Sequence, residues 1–416
     1  MYNPDRRTQA LHTLADLFAE QTETIASALV NDLGMAHRVV TEGELPAAIH
    51  ALTRFDPSNP FPFDPSLIEG DRTPMSTSGI CIPLHTPLST LARTVGAAFA
   101  AGNTQVQVAL PEQLKQSHTI WKDALESTLP GVSVTREEPD SFVDTCLNDP
   151  YVSALFMSGK AEWAAQLREQ IRESETKVIF EGEGNEPVFV GFGVDLDATA
   201  SAIVDAAFFH GGQDPACLKR CHVHESMAPD LIERLVTNAQ ALSVGSPADP
   251  LTHIGPFLDS TELERAQKQL ADAKELGARL AGGGLIQEID DSGAEAMWPA
   301  IVTHCPWDAE LVQQPTAAPI LTILPFKSEE EALTQLESPL GGYTATVFGG
   351  SQTLIARLTR SFGNLFNGST WRHPSNADAR LDWGGYGRTS WVWEWVDGKF
   401  TQRTGPRLLI LEFSKE

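Results

Sequence analysis

The sequence has 416 residues, of which 42% are hydrophobic and 20% charged, and this length exceeds what a single hydrophobic core usually serves. Its formal net charge of −25 predicts a surface that repels phosphate backbones and anionic headgroups, so no nucleic-acid or membrane partner is expected. No apolar run is long enough to cross a bilayer as a helix.

The predicted elements begin with an amphipathic helix over residues 6–33, which ends at Gly34. Residues 55–74 are rich in proline and aspartate and predict an irregular connection. After them, short apolar runs alternate with helical stretches, which is the pattern of a parallel sheet wrapped by helices. The predicted strands of this first series are Gly79–Ile82, Gln105–Leu110, Val132–Val134, Ala154–Met157 and Lys177–Phe180, and its helices cover Leu88–Ala101, Glu112–Ser127 and Ala161–Ser174.

A second α/β series follows and ends in two strand-like segments. Its predicted strands are Val188–Val190, Cys221–His224, Leu321–Phe326 and Tyr343–Phe348, and its helices cover Ala198–His210, Ala228–Leu242, Ser260–Leu276 and Glu329–Leu336. Trp391, Trp393 and Trp395 recur with the period of a strand, which favours packing or a subunit contact over a ligand cage. The apolar run Arg407–Phe413 predicts a terminal strand whose edge pairs with a second subunit, so we expect a homo-oligomer.

Several motifs stand in a fixed order along the chain. The first are Pro74-x4-Gly79-Ile80-x2-Pro83-x3-Pro87-Leu88 and the turn Ala101-Gly102-Asn103-Thr104. Later ones are Phe208-Phe209-x2-Gly212-Gln213, Arg220-x2-Val223-His224, Leu242-x-Val244-Gly245 and Gly384-Gly385-Tyr386. From residue 74 onward, this order resembles the aldehyde dehydrogenase superfamily.

The resemblance implies an α/β fold in three parts: a Rossmann-like nucleotide domain, an α/β catalytic domain and a small β oligomerisation flap. Residues 1–182 would form the nucleotide domain, with 55–74 as the connection, residues 183–390 the catalytic domain, and 391–416 the oligomerisation strand region. The implied cofactor is NAD or NADP. The implied reaction is attack of a cysteine thiolate on an aldehyde, hydride transfer to the nicotinamide and hydrolysis of the thioester.

The position of the family's nucleophilic cysteine holds a proline. Counted back without a gap from Val223-His224, that position is Pro215. Proline has neither a nucleophilic atom nor the backbone N–H that serves the oxyanion hole, and loss of one such donor typically costs several kcal/mol of transition-state stabilisation. Cys217, two residues later, is the alternative nucleophile. Its other interpretation is a small, buried packing residue.

Two further catalytic positions are changed or have new neighbours. The second oxyanion donor falls on His85, which can donate a hydrogen bond or can be a turn residue bonded to the backbone. The general base falls on Glu181, at the end of a predicted strand. Glu183 and Glu186 follow it, and a nearby carboxylate would raise the pKa of Glu181. Alternatively, the three carboxylates form a solvated acidic turn.

The resemblance assigns cofactor contacts to four positions after a predicted strand: Ser158, Gly159, Lys160 and Trp163. Trp163 stands where the family has a glycine that lets backbone approach the pyrophosphate, so its indole would fill that space. Lys160 could supply a compensating charge or be solvated. The family's ribose-binding lysine and glutamate fall on Val108 and Pro315, which offer no polar side chain.

The cysteines argue against a disulfide framework and against a metal site. The chain has five cysteines, an odd number scattered through the sequence, which indicates a reducing, cytoplasmic location. Cys217, Cys221, His222 and His224 resemble a soft-metal set in spacing. However, strand alternation puts Cys221 and His222 on opposite faces, so no metal site is predicted.

The sequence therefore favours a protein with the aldehyde dehydrogenase fold whose usual chemistry is impaired, because the nucleophile and the cofactor contacts are replaced. Two alternatives stay open. One is an active NAD(P)-linked oxidoreductase that uses Cys217 on a small aldehyde or acyl compound. The other is a small-molecule binding protein that uses the cleft between the domains.

Overall fold

The computed structural model describes residues 4–55, 73–289, 293–337, 342–378, 384–386, 388–405 and 408–415. Apart from residues 55, 73 and 74, the predicted irregular connection lies outside the described residues. The helices are α1 Pro4–Glu20, α2 Thr22–Leu33, α3 His37–Val39, α4 Leu45–Thr53, α5 Pro87–Ala100, α6 Lys115–Thr128, α7 Pro139–Asn148, α8 Ala161–Gln166, α9 Arg168–Ser174, α10 Leu196–Phe208, α11 Ala228–Gln240, α12 Ser260–Glu275, α13 Glu310–Gln313, α14 Glu329–Leu336, α15 Gln352–Leu358 and α16 Leu409–Glu412.

The strands form two large sheets and two short ribbons. They are β1 Thr73–Pro74, β2 Thr77–Cys81, β3 Gln105–Leu110, β4 Val132–Arg136, β5 Val152–Ser158, β6 Lys177–Glu181, β7 Glu186–Val190, β8 Leu218–His224, β9 Arg279–Gly282, β10 Ile286–Glu288, β11 Glu295–Met297, β12 Ala300–Thr303, β13 Ile320–Phe326, β14 Thr344–Phe348, β15 Asn364–Asn367, β16 Ser390–Val396, β17 Lys399–Arg403 and β18 Ser414–Lys415.

The first sheet has the strand order β17-β16-β6-β5-β2-β3-β4. Its strands β2 to β6 are parallel, as the alternation of strands and helices predicts. β16 joins β6 antiparallel and β17 closes a hairpin. Trp391 and Trp393 are buried on one face of β16, and the Trp391 ring centroid lies 4.2 Å from that of Phe180. These tryptophans therefore pack within the chain.

The second sheet has the order β15-β14-β7-β8-β13-β12-β9 and is parallel except for β9. Apart from β1, which pairs with β18, strands before residue 182 lie in the first sheet, and strands from Glu186 to Asn367 lie in the second sheet or in the ribbon β10-β11. The predicted α/β fold is confirmed. In the described residues, no helix has both the length and the apolar character needed to span a membrane.

Two predicted helices are each divided in the structure. The helix expected over residues 6–33 breaks at Gln21, and α2 ends at Gly34, whose φ of 69° is a left-handed cap. The helix expected over Ala161–Ser174 breaks at Leu167 into α8 and α9. In both cases the apolar spacing continues across the break, so periodicity alone does not reveal it.

The C-terminal segment differs from its prediction. Leu409–Glu412 form α16, and Leu409 and Phe413 are both 0% exposed in the core of their own chain. The terminal strand expected over Arg407–Phe413 is therefore wrong, because this apolar surface packs beside α5 and needs no second subunit. Ser414–Lys415 alone form a strand there, paired with Thr73–Pro74. Self-association stays a prediction that this segment does not support.

A buried asparagine holds the C-terminal segment in place. Asn103 donates from Nδ2 to the Phe413 carbonyl over 2.8 Å, and its Oδ1 accepts from the Ser78 hydroxyl. Asn103 follows Gly102, whose φ of 96° is readily adopted only by glycine, so the turn directs the amide inward. The Ala-Gly-Asn-Thr motif thus connects β2, α5 and the C-terminal segment.

We expect Phe413→Ala to lower the free energy of unfolding by about 3–5 kcal/mol, because it removes a fully buried aromatic ring and leaves a cavity. Denaturant unfolding measures this loss. Leu251→Ala is the matched control, since Leu251 is 76% exposed and its loss should cost about 0.5 kcal/mol or less. A Phe413→Ala protein as stable as the control would contradict this burial.

Candidate functional site

A cleft lies between loops that follow strands of the first sheet and loops that precede strands of the second sheet. In the first sheet the chain order reverses between β2 and β5, and loops leaving such a switch point form the usual ligand site of an open α/β sheet. The cleft has a volume of about 320 Å³. Residues 82–85 and 158–160, after β2 and β5, line one wall, and residues 182–184, 212–215 and 315–317 line the other. The second wall precedes β7, β8 and β13.

Pro215 lies in the cleft wall, in the turn before β8. This turn is fixed by backbone contacts: Gly212 has a φ of 69°, and a Cβ atom there would stand 2.2 Å from the Ala318 carbonyl oxygen. A Cβ atom on Gly184 would stand 2.0 Å from the Pro215 carbonyl oxygen. The position implied for the nucleophile is therefore well defined, and it presents a proline ring.

Cys217 is not among the residues that line the cleft. Its side chain is 0% exposed, packs in the core below β8, and points its Sγ at the Phe209 carbonyl oxygen, 3.3 Å away. Burial raises the pKa of the Cys217 thiol to about 12. The structure thus gives this cysteine the features of a packing residue, since a reactive thiol needs access to substrate and a thiolate.

Glu181 forms a buried ion pair with Arg93 of α5. Arg93 Nη1 donates to Glu181 Oε1 over 3.0 Å, and Nη2 contacts the second carboxylate oxygen. The two side chains are only 9% and 3% exposed. Both oxygens are engaged by one guanidinium in bidentate geometry, the strongest arrangement for such a pair. Glu181 ends β6 beside the cleft, but residues 182–184 line the cleft and Glu181 does not.

The other two carboxylates of this connection have separate partners. Glu186 is fully buried and accepts from the Tyr343 and Thr344 backbone N–H groups over 3.0 and 2.6 Å, and its burial raises its pKa to about 7. Glu183 faces the cleft, and its burial raises its pKa. A solvated acidic turn is therefore the wrong interpretation for Glu181 and Glu186.

His85 lines the cleft at the position implied for the second oxyanion donor. Its carbonyl oxygen lies 2.9 Å from Nε2 of His210, a residue with the left-handed φ of 54°. Burial lowers the pKa of both imidazoles to about 4, although the nearby Asp214 opposes the shift. Both histidines are therefore neutral near pH 7, so His85 can donate one hydrogen bond into the cleft and carries no charge.

The segment after β5 brings together the four predicted cofactor positions. Ser158, Gly159 and Lys160 line the cleft, while Trp163 does not. The Trp163 indole instead covers Gly159, where a Cβ atom would stand 3.0 Å from the ring, and its Nε1 donates to Asp140 over 2.5 Å. The indole therefore occupies the space beside Gly159 at the start of α8.

Lys160 is held by a carboxylate of the opposite wall. Its Nζ lies 2.9 Å from Oε1 of Glu262 on α12. Arg265, one turn later, contacts Glu262 over 3.2 Å and Glu183 over 2.6 Å, and donates to the Pro315 carbonyl. Lys160, half of whose side chain is exposed, is thus paired with Glu262 and is not a free cation in the cleft.

Several residues of the site were missed by the sequence interpretation. Arg93 carried a signal, since it is the sole charged residue of the apolar helix α5. Glu262 and Arg265 carried none, because on an amphipathic helix they resemble ordinary surface charges. Lys219 lines the cleft and donates to the Gly212 and Ala318 carbonyls over 2.6 and 3.0 Å, so it holds that turn. Its burial lowers its pKa to about 8.

The remaining predicted positions offer no polar side chain to a ligand or do not converge on one site. Val108 is buried inside β3, whereas Pro315 does line the cleft. Cys221 packs in the second sheet's core and His222 contacts Gln335 over 3.2 Å, so these neighbouring side chains diverge. Within the described ranges, no group of three or more His, Cys, Asp or Glu residues is arranged to hold a metal ion.

Comparison with known proteins agrees with this architecture. The family model described as "Aldehyde dehydrogenase family" matches residues 2–396. The 2-aminomuconic semialdehyde dehydrogenase of Bos taurus is 24% identical over 387 residues, covering 89% of this chain and 78% of that protein. An NADP-dependent enzyme of E. coli superposes with a TM-score of 0.85 at 21% identity, covering 100% of this chain and 85% of that one. An NAD+ complex of an aldehyde dehydrogenase from Bacillus cereus also gives 0.85, at 20% identity and coverages of 100% and 83%.

We expect the native protein to show no fast-reacting thiol with Ellman's reagent, because all five cysteines are free and buried. After unfolding in guanidinium, all five should react. The informative comparison is wild type against Cys217→Ser under native conditions. A fast thiol in the wild type that disappears in this variant would show that Cys217 reaches solvent and can act as a nucleophile.

Proposed function

This chain belongs to the aldehyde dehydrogenase family, and we propose that it binds a small molecule in its interdomain cleft without carrying out thiolate-dependent aldehyde oxidation. The observation that carries the proposal is the pair of positions at the turn before β8. Pro215 lines the cleft, and Cys217 lies outside it. A residue without a nucleophilic atom therefore faces any bound aldehyde, while the neighbouring thiol faces the core.

The geometry of the turn supports this part of the proposal. Bringing Cys217 Sγ into the cleft would require the segment from Asp214 to Cys217 to rearrange. That segment is fixed by the Asp214 side chain, which accepts from Ala216 N over 2.8 Å, and by the bond from Cys217 N to the Asp214 carbonyl over 3.0 Å. The thiol, with its pKa near 12, would also have to lose a proton that burial retains. Both requirements oppose catalysis by Cys217.

The engagement of Glu181 is a second, independent support. A general base must lie within hydrogen-bond reach of the water that it activates and must have a free lone pair directed there. Both Glu181 oxygens instead contact Arg93, and Glu181 does not line the cleft where such a water would lie. Removing one partner of a buried pair leaves an uncompensated charge and typically costs 3–5 kcal/mol. Glu181 therefore stabilises the first sheet, and we assign it no role in hydrolysis.

The cleft is also poorly suited to a dinucleotide. A pyrophosphate needs close backbone approach and nearby donors or cations. Here Trp163 covers Gly159, Lys160 is paired with Glu262, and Glu183 adds a further carboxylate to the wall. We propose that NAD and NADP do not bind, in contrast to the Bacillus cereus enzyme, whose structure is an NAD+ complex.

What remains is a pocket suited to a compact ligand. A volume of about 320 Å³ lies at the lower end for small-molecule sites, which are mostly apolar with a few polar groups that fix orientation. His85 and Ser158 offer neutral hydrogen-bonding groups, and Pro83, Pro215 and Pro315 offer rigid apolar surface. A small aldehyde or acyl compound fits this lining as a ligand without becoming a substrate.

We expect NAD and NADP to bind with a Kd weaker than about 1 mM, because both are anions and their phosphate approach is covered and negatively charged. Isothermal titration calorimetry and tryptophan fluorescence measure this directly, the latter because Trp163 packs against Gly159, which lines the cleft. Saturable binding in the micromolar range would contradict the proposal and favour the active-enzyme alternative.

We expect no aldehyde oxidation above background with short aliphatic, aromatic or semialdehyde substrates and either cofactor. Pro215→Cys should also stay inactive, because Glu181 remains bound to Arg93 and the cofactor site remains occupied by side chains. Turnover is followed as NAD(P)H absorbance. Wild-type activity that Cys217→Ser abolishes would instead identify Cys217 as the nucleophile of a working enzyme.

A further inference from the structure

We propose that Glu262 acts as an internal anion in the cleft: it sits between Lys160 and Arg265, where a ligand carboxylate or phosphate would otherwise bind. The cleft would therefore be held closed to anionic ligands by a carboxylate of the protein itself. This inference concerns the regulation of the same cleft, and it rests on the proposal that the cleft is a small-molecule site.

The three side chains join opposite walls of the cleft. Lys160 belongs to the turn after β5, and Glu262 and Arg265 lie one turn apart on α12. Glu262 Oε1 is 2.9 Å from Lys160 Nζ, and its Oε2 is 3.2 Å from Arg265 Nη1. The two oxygens of one carboxylate therefore each contact a different cation, as the oxygens of a bound carboxylate or phosphate would.

The Arg265 side chain and the Lys160 backbone are positioned independently of Glu262. Arg265 also contacts Glu183 over 2.6 Å and donates from Nη2 to the Pro315 carbonyl. Lys160 follows Gly159, whose backbone N–H donates to the Glu181 carbonyl over 3.1 Å. Arg265 would thus keep its position if the Glu262 charge were removed, and Lys160, which follows a fixed backbone, would stay within reach of an anion bound in place of the Glu262 carboxylate.

Glu262 sets the net charge of the group formed by Lys160, Arg265, Glu262 and Glu183. Lys160 and Arg265 contribute two positive charges, and Glu262 and Glu183 contribute two negative charges, so the group is neutral as it stands. Without the Glu262 charge, the same group carries one net positive charge. Asp214, Asp259 and Glu138 also line the cleft and outnumber Lys219, the further cation of its lining, so an entering anion meets net repulsion unless Lys160 and Arg265 are available.

Exposure makes the exchange accessible. The Lys160 side chain is 50% exposed and that of Glu262 is 14% exposed. An ion pair open to water on one side is weak enough to be broken by a competing ion. An anionic ligand could therefore displace Glu262 from Lys160. To do so, the ligand must compete with the high effective local concentration of the Glu262 carboxylate.

The test replaces Glu262 by glutamine, which keeps the shape and removes the charge. Inorganic pyrophosphate and malonate are titrated separately by calorimetry. Intrinsic tryptophan fluorescence is a second readout, because the Trp163 ring lies beside Gly159. We expect Glu262→Gln to lower the Kd of at least one of these anions about two- to fivefold, the effect of freeing one partly exposed ion pair. The anion that gains more identifies a phosphate or a carboxylate as the preferred ligand group.

Glu264→Gln is the matched control, because Glu264 lies on the same helix, is exposed, and removes the same charge from the chain. It should leave both Kd values unchanged. Adding Lys160→Met to Glu262→Gln should abolish the gain. Thermal unfolding checks that each variant is folded, and Glu262→Ser, which also removes the charge, replaces any variant that is not.

Two results would overturn the inference: no gain for either anion in a folded Glu262 variant, or an equal gain in Glu264→Gln. Neither result bears on the proposed absence of aldehyde oxidation, which fails if the wild type oxidises aldehydes or binds NAD(P). Conversely, wild-type aldehyde oxidation would leave the measured effect of Glu262 on anion affinity intact. The two proposals can therefore fail separately.

Discussion

The buried ion pair between Arg93 and Glu181 is the interaction on which the rest of the site depends. It joins α5 to the end of β6. α5 follows the turn that contains Pro83 and His85, and the chain leaves the first sheet at the end of β6. Because the pair is almost fully withdrawn from water, neither charge can be released without a large desolvation cost. The pair thereby fixes two sides of the cleft and holds the one carboxylate that resemblance would have assigned to catalysis. In our account the position implied for a general base is a structural position.

Other charged groups at the cleft also have their ion-pair or hydrogen-bond partners within the protein. Lys160 and Arg265 are satisfied by Glu262 and Glu183, and Lys219 by two backbone carbonyls. Pro215 needs no partner and contributes none. Several charged groups at the cleft therefore already have partners within the protein. This is why we expect that restoring one residue, such as a cysteine at position 215, will not restore turnover.

The sequence predicted the fold well because its signals are local. β3 at Gln105–Leu110 and α14 at Glu329–Leu336 match their predictions in both bounds, since their apolar patterns begin and end at turn residues. The terminal segment was mispredicted because an apolar run indicates burial without indicating what covers it, and here α5 does so. The sequence indicated which residues lie at or near the cleft, but it did not indicate the residues with which they form ion pairs and hydrogen bonds. Arg93 and Glu181 are 88 residues apart, and nothing in a single sequence indicates that such residues meet.

A double-mutant cycle on the Arg93–Glu181 pair tests the central claim most directly. Arg93→Met, Glu181→Gln and the double variant would be unfolded in denaturant alongside the wild type. We expect each single variant to lose about 3 kcal/mol or more, because it leaves one unpaired buried charge. The double variant should lose about 2 kcal/mol less than the sum of the two single variants, since contacting residues are coupled. Additive losses, or single losses near zero, would contradict a structural pair and would return Glu181 to the set of groups free to act on a ligand.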